Sequence, residues 1–184
     1  FPVKELNDSC GAIKKGCVVS ILGGPGMGKT SFAENIIFQN SVLRPLNCLH
    51  FFLEDIKIRY QMNLLSRFSY HINDKIPSNT LKSGVDIKDE EALKKIKQVQ
   101  DRFKIDKKGK IYYTSMLNKP NDPYELANKI GRIVEKFDID YIVLDFIQKF
   151  KVFKTKHYSV IDYLNQIANC LGTLCLGEMG YPPF

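Results

Sequence analysis

Gly23-Gly24-Pro25-Gly26-Met27-Gly28-Lys29-Thr30 decides the fold. The stretch satisfies G-x-x-x-x-G-K-[ST], the pattern of a loop that cradles phosphates. Its glycines let the backbone wrap close to a phosphate chain and turn N–H groups inward. In that reading Lys29 reaches the β- and γ-phosphates of a nucleotide and the Thr30 hydroxyl ligates Mg²⁺. A helix opening near Lys29 adds its positive dipole end. The motif needs a strand before it and a helix after it. Val18-Val19-Ser20-Ile21-Leu22 reads as a short buried strand, and Phe32, Ile36, Ile37 and Phe38 fall at helical spacing over 30–39. A glycine turn that matched by accident would lack this setting.

Outward from the loop, strands and helices alternate. Cys48-Leu49-His50-Phe51-Phe52-Leu53 is a second apolar run, ending in Glu54-Asp55. A helix is expected over 56–70, with Ile58, Met62, Leu65 and Phe68 as its apolar stripe. Turn signals at Pro77-Ser78-Asn79 and Ser83-Gly84 lead into a charged amphipathic helix over 89–108. A third strand is predicted over 110–114. A helix over 123–137 follows, with Asp122 as candidate N-cap and Pro123 at its first position. Tyr141-Ile142-Val143-Leu144-Asp145 is a fourth strand, apolar until its terminal carboxylate. The last helix is expected over 160–171, with a short fifth strand at 174–176. Strands apolar on both faces and alternating with helices indicate a mostly parallel central sheet flanked by helices on both faces. The fold class is α/β, of P-loop NTPase type, in a single domain.

At 184 residues the chain has the length of one domain, and 44% hydrophobic with 26% charged residues is an ordinary globular balance. No apolar run approaches the roughly 18 residues that span a bilayer, so no membrane partner is expected. Phe1-Pro2-Val3-Lys4 carries no initiator Met and no signal sequence, and reads as the middle of a longer polypeptide. The net charge of +7 favours polyanionic partners, nucleic acid first, against the alternative of a merely solvating lysine surface. Cys10, Cys17, Cys48, Cys170 and Cys175 form no C-x-x-C pair, which argues against a zinc site or disulfide framework. Cys17, Cys48 and Cys175 sit in apolar runs and read as small core residues in a reducing interior.

Two strand-terminal carboxylates stand out. Asp145 occupies the Walker B position, where a carboxylate holds the Mg²⁺ shell; a simple strand cap is the alternative. Glu54 should emerge on the same edge, where a carboxylate deprotonates an attacking water or is merely solvated. Gln148 could sense the γ-phosphate or be a surface residue. Lys149, Lys151, Lys154, Lys156 and His157 are interleaved with Phe150, Phe153 and Tyr158. Cations among aromatics suit single-stranded nucleic acid, and a solvated loop is the alternative. Lys104, Lys107, Lys108 and Lys110 read as a solvated face and turn. His50 and His71 lack partners at metal-ligand spacing and take core or surface roles.

Together these residues resemble the C-terminal, RecA-like motor domain of DnaB-type replicative helicases. Gly11-Ala12-Ile13-Lys14-Lys15-Gly16 is similar to the family's lead-in, and residues 23–30 with Ser31-Phe32-Ala33 to its nucleotide loop. Phe51-Phe52-Leu53-Glu54 resembles the strand ending in the catalytic glutamate. Ile76-Pro77-Ser78, Ser83-Gly84 and Asp89-Glu90-Glu91 follow the middle helical insertion, 71–110. Ile139 to Gln148 is similar to the Walker B strand with its following glutamine. The resemblance implies ATP and Mg²⁺ as cofactors, phosphate and metal bound by Lys29, Thr30 and Asp145, Glu54 as base, and Gln148 coupling the γ-phosphate to DNA. It implies that 149–157 approaches single-stranded DNA in a ring, a hexamer with the neighbour's arginine finger, and that primase and a helicase loader are further partners. The compartment implied is the cytoplasm of a bacterial or phage-infected cell, or an organellar matrix. From Gly177 the sequence departs from the family, Glu178 falls near an expected Gln, and no arginine finger is identifiable, so the domain reads as C-terminally incomplete. A RecA-like regulatory or recombination module without unwinding activity is the competing reading.

Overall fold

The computed structural model describes residues 3–11, 13–52, 57–83, 89–115, 123–145 and 160–177. Among the described residues three parallel strands form the sheet, in the order β2-β1-β3: β1 is Cys48–Phe52, β2 Ile111–Ser115 and β3 Tyr141–Asp145. β1 lies in the middle and is buried along its whole length. Asn47 aligns the three strand starts. Its side chain donates to the Asp138 carbonyl and accepts from Lys110 N, while its own N–H donates to Asp140 Oδ2 at 2.7 Å. Its carbonyl also accepts from the N–H groups of Asp140 and Tyr141. One short polar side chain thus fixes the register, in which Phe52 stands level with Asp145 and Ser115.

The period-two alternation of strand side chains divides the core in two. Leu49 and Phe51 point to one face, where they meet α6 (Pro123–Phe137) and α7 (Val160–Cys175) through Leu126, Ile130, Val134, Leu171 and Leu174. Cys48, His50 and Phe52 point to the other. That face is covered by α2 (Lys29–Ile37), the π-helical turn Phe38–Val42, α3 (Lys57–His71), α4 (Ser78–Lys82) and α5 (Glu90–Asp106). A short α1 (Lys4–Cys10) precedes them in the chain. The result is a three-layer α/β fold, with helices on both sides of a parallel sheet.

Local signals set two of the helix ends. Asp89 caps α5, accepting from the N–H groups of Glu91 and Ala92, and Glu90 and Glu91 favour its positive end. α6 stops at Asp138, held at φ 49°, where Ile139 N bonds back to the Val134 carbonyl and both apolar side chains are buried. This is a Schellman stop with Asp in the usual glycine position. At Gly109 the turn into β2 passes so close to Leu46 that a Cβ would overlap its carbonyl.

Four sequence expectations are corrected. Residues 18–22 are not a buried strand: Val18, Val19, Ile21 and Leu22 are exposed, Leu22 at 86%. Apolar content makes a strand only where an open edge accepts its backbone, and among the described residues this run makes no ladder bond. Its lead-in is held instead against the end of α7, where Gly16 (φ 83°) lies on Leu176 and the Cys175 carbonyl. Residues 174–176 are not a fifth strand, because α7 continues to Cys175. Cys170, Leu171, Leu174 and Cys175 recur at helical spacing and are all buried, so the pattern fits a helix better. Cys17 is exposed, while Cys48 and Cys175 are core residues as expected. In α3 the buried face is Tyr60, Leu64, Leu65 and Phe68, and Ile58 points outward. Expected residues 53–56, Gly84, Asp122, 146–159 and 178–184 lie outside the described residues.

Candidate functional site

The loop 23–28 is exposed along its length and turns directly into α2. Gly26 and Gly28 sit at φ 74° and 83°, in left-handed backbone that side chains other than glycine rarely adopt. The first bond inside α2 runs from Phe32 N to the Gly28 carbonyl at 2.9 Å. The N–H groups of Lys29, Thr30 and Ser31 therefore have no intrahelical acceptor. Lys29 folds back across the loop, its Nζ donating to the Gly23 carbonyl at 2.9 Å and the Gly24 carbonyl at 2.7 Å. An ammonium has three donors, so one remains for a ligand. Met27 is exposed, and Pro25 lies between these carbonyls and the left-handed glycines.

The helix carrying this loop is locked to α3 by polar contacts. Glu34, 2% exposed, accepts from Asn63 Nδ2 at 2.6 Å and pairs with Arg67 Nη2 at 3.4 Å. Arg67 Nη2 also donates to the Ser31 carbonyl at 3.0 Å, one residue past Thr30. Burial raises the Glu34 carboxyl above its ordinary value, and the bonds from Asn63 and Arg67 only partly offset this. None of these three side chains carries a sequence motif. The available signal was an acid on the buried face of α2, which needs a partner wherever it folds.

The carboxyl edge of the sheet carries the second group. Asp145 ends β3, is 7% exposed, and accepts a hydrogen bond from Tyr60 Oη on Oδ2 at 3.1 Å. Tyr60 lies one turn into α3 and its ring packs edge-on to His50, with centroids 4.5 Å apart. His50 is a core residue: no described group bonds either ring nitrogen, and burial lowers its pKa to about 4. His71 packs its ring edge on Phe38 at the end of α3. The structure unites residues 23–31 in one loop and helix start, and brings α2 against β3. Glu54, Gln148, Lys149, Lys151, Lys154 and Lys156 lie outside the described residues. Lys104 pairs with Asp101 on the α5 surface, as a solvated face would.

These features fit a magnesium nucleotide. The start of α2 offers N–H groups without intrahelical acceptors, Lys29 a cation, Thr30 a hydroxyl, and Asp145 a buried carboxylate on the strand that α2 contacts. Such a set suits an anion with a hard, oxygen-liking metal. Among the described residues no cluster of three or more His, Cys, Asp or Glu suggests another metal, and no helix is long and apolar enough to cross a membrane.

No curated protein matches the chain. The family model of the DnaB-like helicase C-terminal domain matches residues 2–176, which include the loop 23–30, Glu54, Asp145 and every described strand. The chain belongs to the DnaB-like helicase C-terminal domain family, a RecA-like family of helicase motor domains.

Proposed function

We propose that this domain binds Mg²⁺·ATP at residues 23–31 and uses its hydrolysis to drive movement along single-stranded DNA and unwinding of duplex. The observation that carries the reading is the loop itself: a helix start with three free N–H groups, two left-handed glycines and Lys29 poised over it. Phosphate binding replaces the Lys29 bonds to the Gly23 and Gly24 carbonyls with charge-assisted bonds to phosphate oxygens, which are stronger. Thr30 and Asp145 hold the metal shell, and the metal when bound neutralises charge on the phosphates. Glu54, two residues beyond the last residue of β1, is the base for the attacking water, and Gln148 links the phosphate site to the DNA-facing stretch 149–157. Lys149, Lys151, Lys154 and Lys156 contact the DNA backbone. Copies of the chain assemble as a ring, with the arginine that completes the site supplied by a neighbour. The stretch 71–110 is a helical insertion in this one motor domain.

The test compares the chain with Lys29→Ala and Glu54→Ala for nucleotide binding and for ATP turnover with and without single-stranded DNA. Binding should fall with Lys29→Ala, and DNA-stimulated turnover should be lost with Glu54→Ala while binding persists. Nucleotide-dependent assembly with no DNA stimulation would favour the regulatory-module reading instead.

A further inference from the structure

Tyr60 stands out because its buried hydroxyl donates to one oxygen of a carboxylate that the sequence places at the metal shell. The Oη–Oδ2 separation of 3.1 Å joins the first turn of α3 to the last residue of β3. The ring cannot swing freely, since it packs edge-on to His50 at 4.5 Å and against Phe52 at 5.4 Å. The carboxylate rotor of Asp145 is therefore held by a fixed donor, and Oδ1 is the oxygen no described residue engages. A ligating carboxylate held in this way presents a chosen oxygen to the metal and loses less rotational freedom on binding.

We propose that Tyr60 is a positioning residue for the metal site, orienting Asp145 so that Oδ1 faces the Mg²⁺ shell. This rests on the reading of Asp145 as the metal-shell acid given above. Tyr60 does not touch nucleotide or metal; it acts through Asp145. A purely structural bond would stabilise the domain and affect nucleotide binding equally with and without metal. A positioning role affects only the part of binding that depends on Mg²⁺.

The experiment measures binding of a fluorescent ADP analogue to the full chain across a Mg²⁺ titration, beside Tyr60→Phe and Asp145→Asn. Phenylalanine keeps the packing on His50 and Phe52 and removes only the hydroxyl. The Mg²⁺ concentration giving half of the metal-dependent enhancement should rise about 10-fold or more in Tyr60→Phe. Metal-free binding of the analogue should stay within about 2-fold of the unsubstituted chain, and Asp145→Asn should abolish the enhancement. Persistence of the enhancement in Asp145→Asn, or its absence from the unsubstituted chain, removes the metal reading and this inference with it. Loss in Asp145→Asn with an unchanged midpoint in Tyr60→Phe overturns the inference alone. An equal fall in metal-free and metal-bound affinity in Tyr60→Phe also overturns it, by assigning the bond a structural role. Thermal unfolding of each variant identifies one that has failed to fold, and Tyr60→Met, which likewise lacks the hydroxyl donor, then replaces Tyr60→Phe in the same titration with the same expected outcomes.

Discussion

The two faces of the sheet are built from different chemistry. Against α6 and α7 the core is almost wholly apolar: Leu49, Phe51, Leu126, Ala127, Ile130, Val134, Ile139, Leu171 and Leu174. Against α2 and α3 the same strands meet Glu34, Ser41, His50, Ser66, Ser69 and Asp145, which are all the buried polar side chains among the described residues. The hydroxyls on that face are satisfied locally: Ser66 Oγ and Ser69 Oγ reach the Ile76 carbonyl, and Ser41 Oγ lies 2.7 Å from Tyr141 Oη. Burial without hydrogen bonds costs roughly 1–3 kcal/mol per group, so these bonds matter, and His50, whose ring nitrogens no described group bonds, is the exception on this face. The apolar face supplies stability, and the polar face spends some of it to hold the helix after residues 23–28 and Asp145 in place.

The largest expected effect breaks the apolar face. Phe51 is fully buried, and Phe51→Ala should destabilise the domain by about 3–5 kcal/mol through lost burial and a cavity. Urea unfolding measures this. Nucleotide affinity per folded molecule should be nearly unchanged, because nothing in the loop or at Asp145 rests on that ring alone. A large affinity change without loss of stability would show that the faces are not separable.

Next comes acid. His50 titrates near 4 when folded and near its ordinary 6.5 when unfolded, because burial disfavours the cation. Between these values the unfolded chain binds the extra proton, so stability falls as pH drops from 6.5 toward 4. The full loss is on the order of 3 kcal/mol. Glu34 works with the opposite sign: its folded pKa is raised by burial, so its contribution is present at low pH and lost as pH rises through that value. His50→Leu should therefore flatten the acid limb of a stability–pH curve, and Glu34→Gln should steepen it. An acid limb unchanged by His50→Leu would place the titration elsewhere.

A smaller effect should separate stability from binding. Arg67 is about one-third exposed, and its ion pair with Glu34 is long, so Arg67→Ala should cost about 1–2 kcal/mol rather than the larger loss of a fully buried pair. It also removes the bond to the Ser31 carbonyl, which steadies the start of α2. Analogue affinity at saturating Mg²⁺ should fall several-fold in this variant, well beyond the change in Phe51→Ala. Equal changes in the two variants would remove the functional distinction between the faces.

The legibility of these faces in the sequence was uneven, for physical reasons. The turn of residues 23–28 into α2 was readable because two glycines needing left-handed backbone precede a helix start. β3 and α6 were readable to the residue, since an apolar run ending in Asp145 and a helix opening at Pro123 carry their own boundaries. The 18–22 run misled because strand formation depends on an available neighbour, which is not local information. The 174–176 run misled because three residues cannot distinguish a strand from the last turn of a helix. Tyr60, Asn63 and Arg67 left no pattern because their partners, Asp145 and Glu34, are distant in sequence and meet them only after folding.

The smallest effect tests where sequence and structure differ on α3. The apolar stripe through Ile58, Met62, Leu65 and Phe68 would bury Ile58, and truncating a buried isoleucine costs about 2–5 kcal/mol. The structure buries Leu65 and Phe68 of that stripe together with Tyr60 and Leu64, and leaves Ile58 52% exposed. Seated this way, the helix lets Tyr60 reach Asp145 and Arg67 reach Glu34. Ile58→Ala should therefore change stability by no more than about 0.5 kcal/mol. Alanine's better helix propensity could even make the change slightly favourable. Leu64→Ala, on the buried row, should cost several times more in the same urea titration. If Ile58→Ala proved as costly as Leu64→Ala, α3 would be turned differently on the sheet, and the Tyr60–Asp145 contact would go with it.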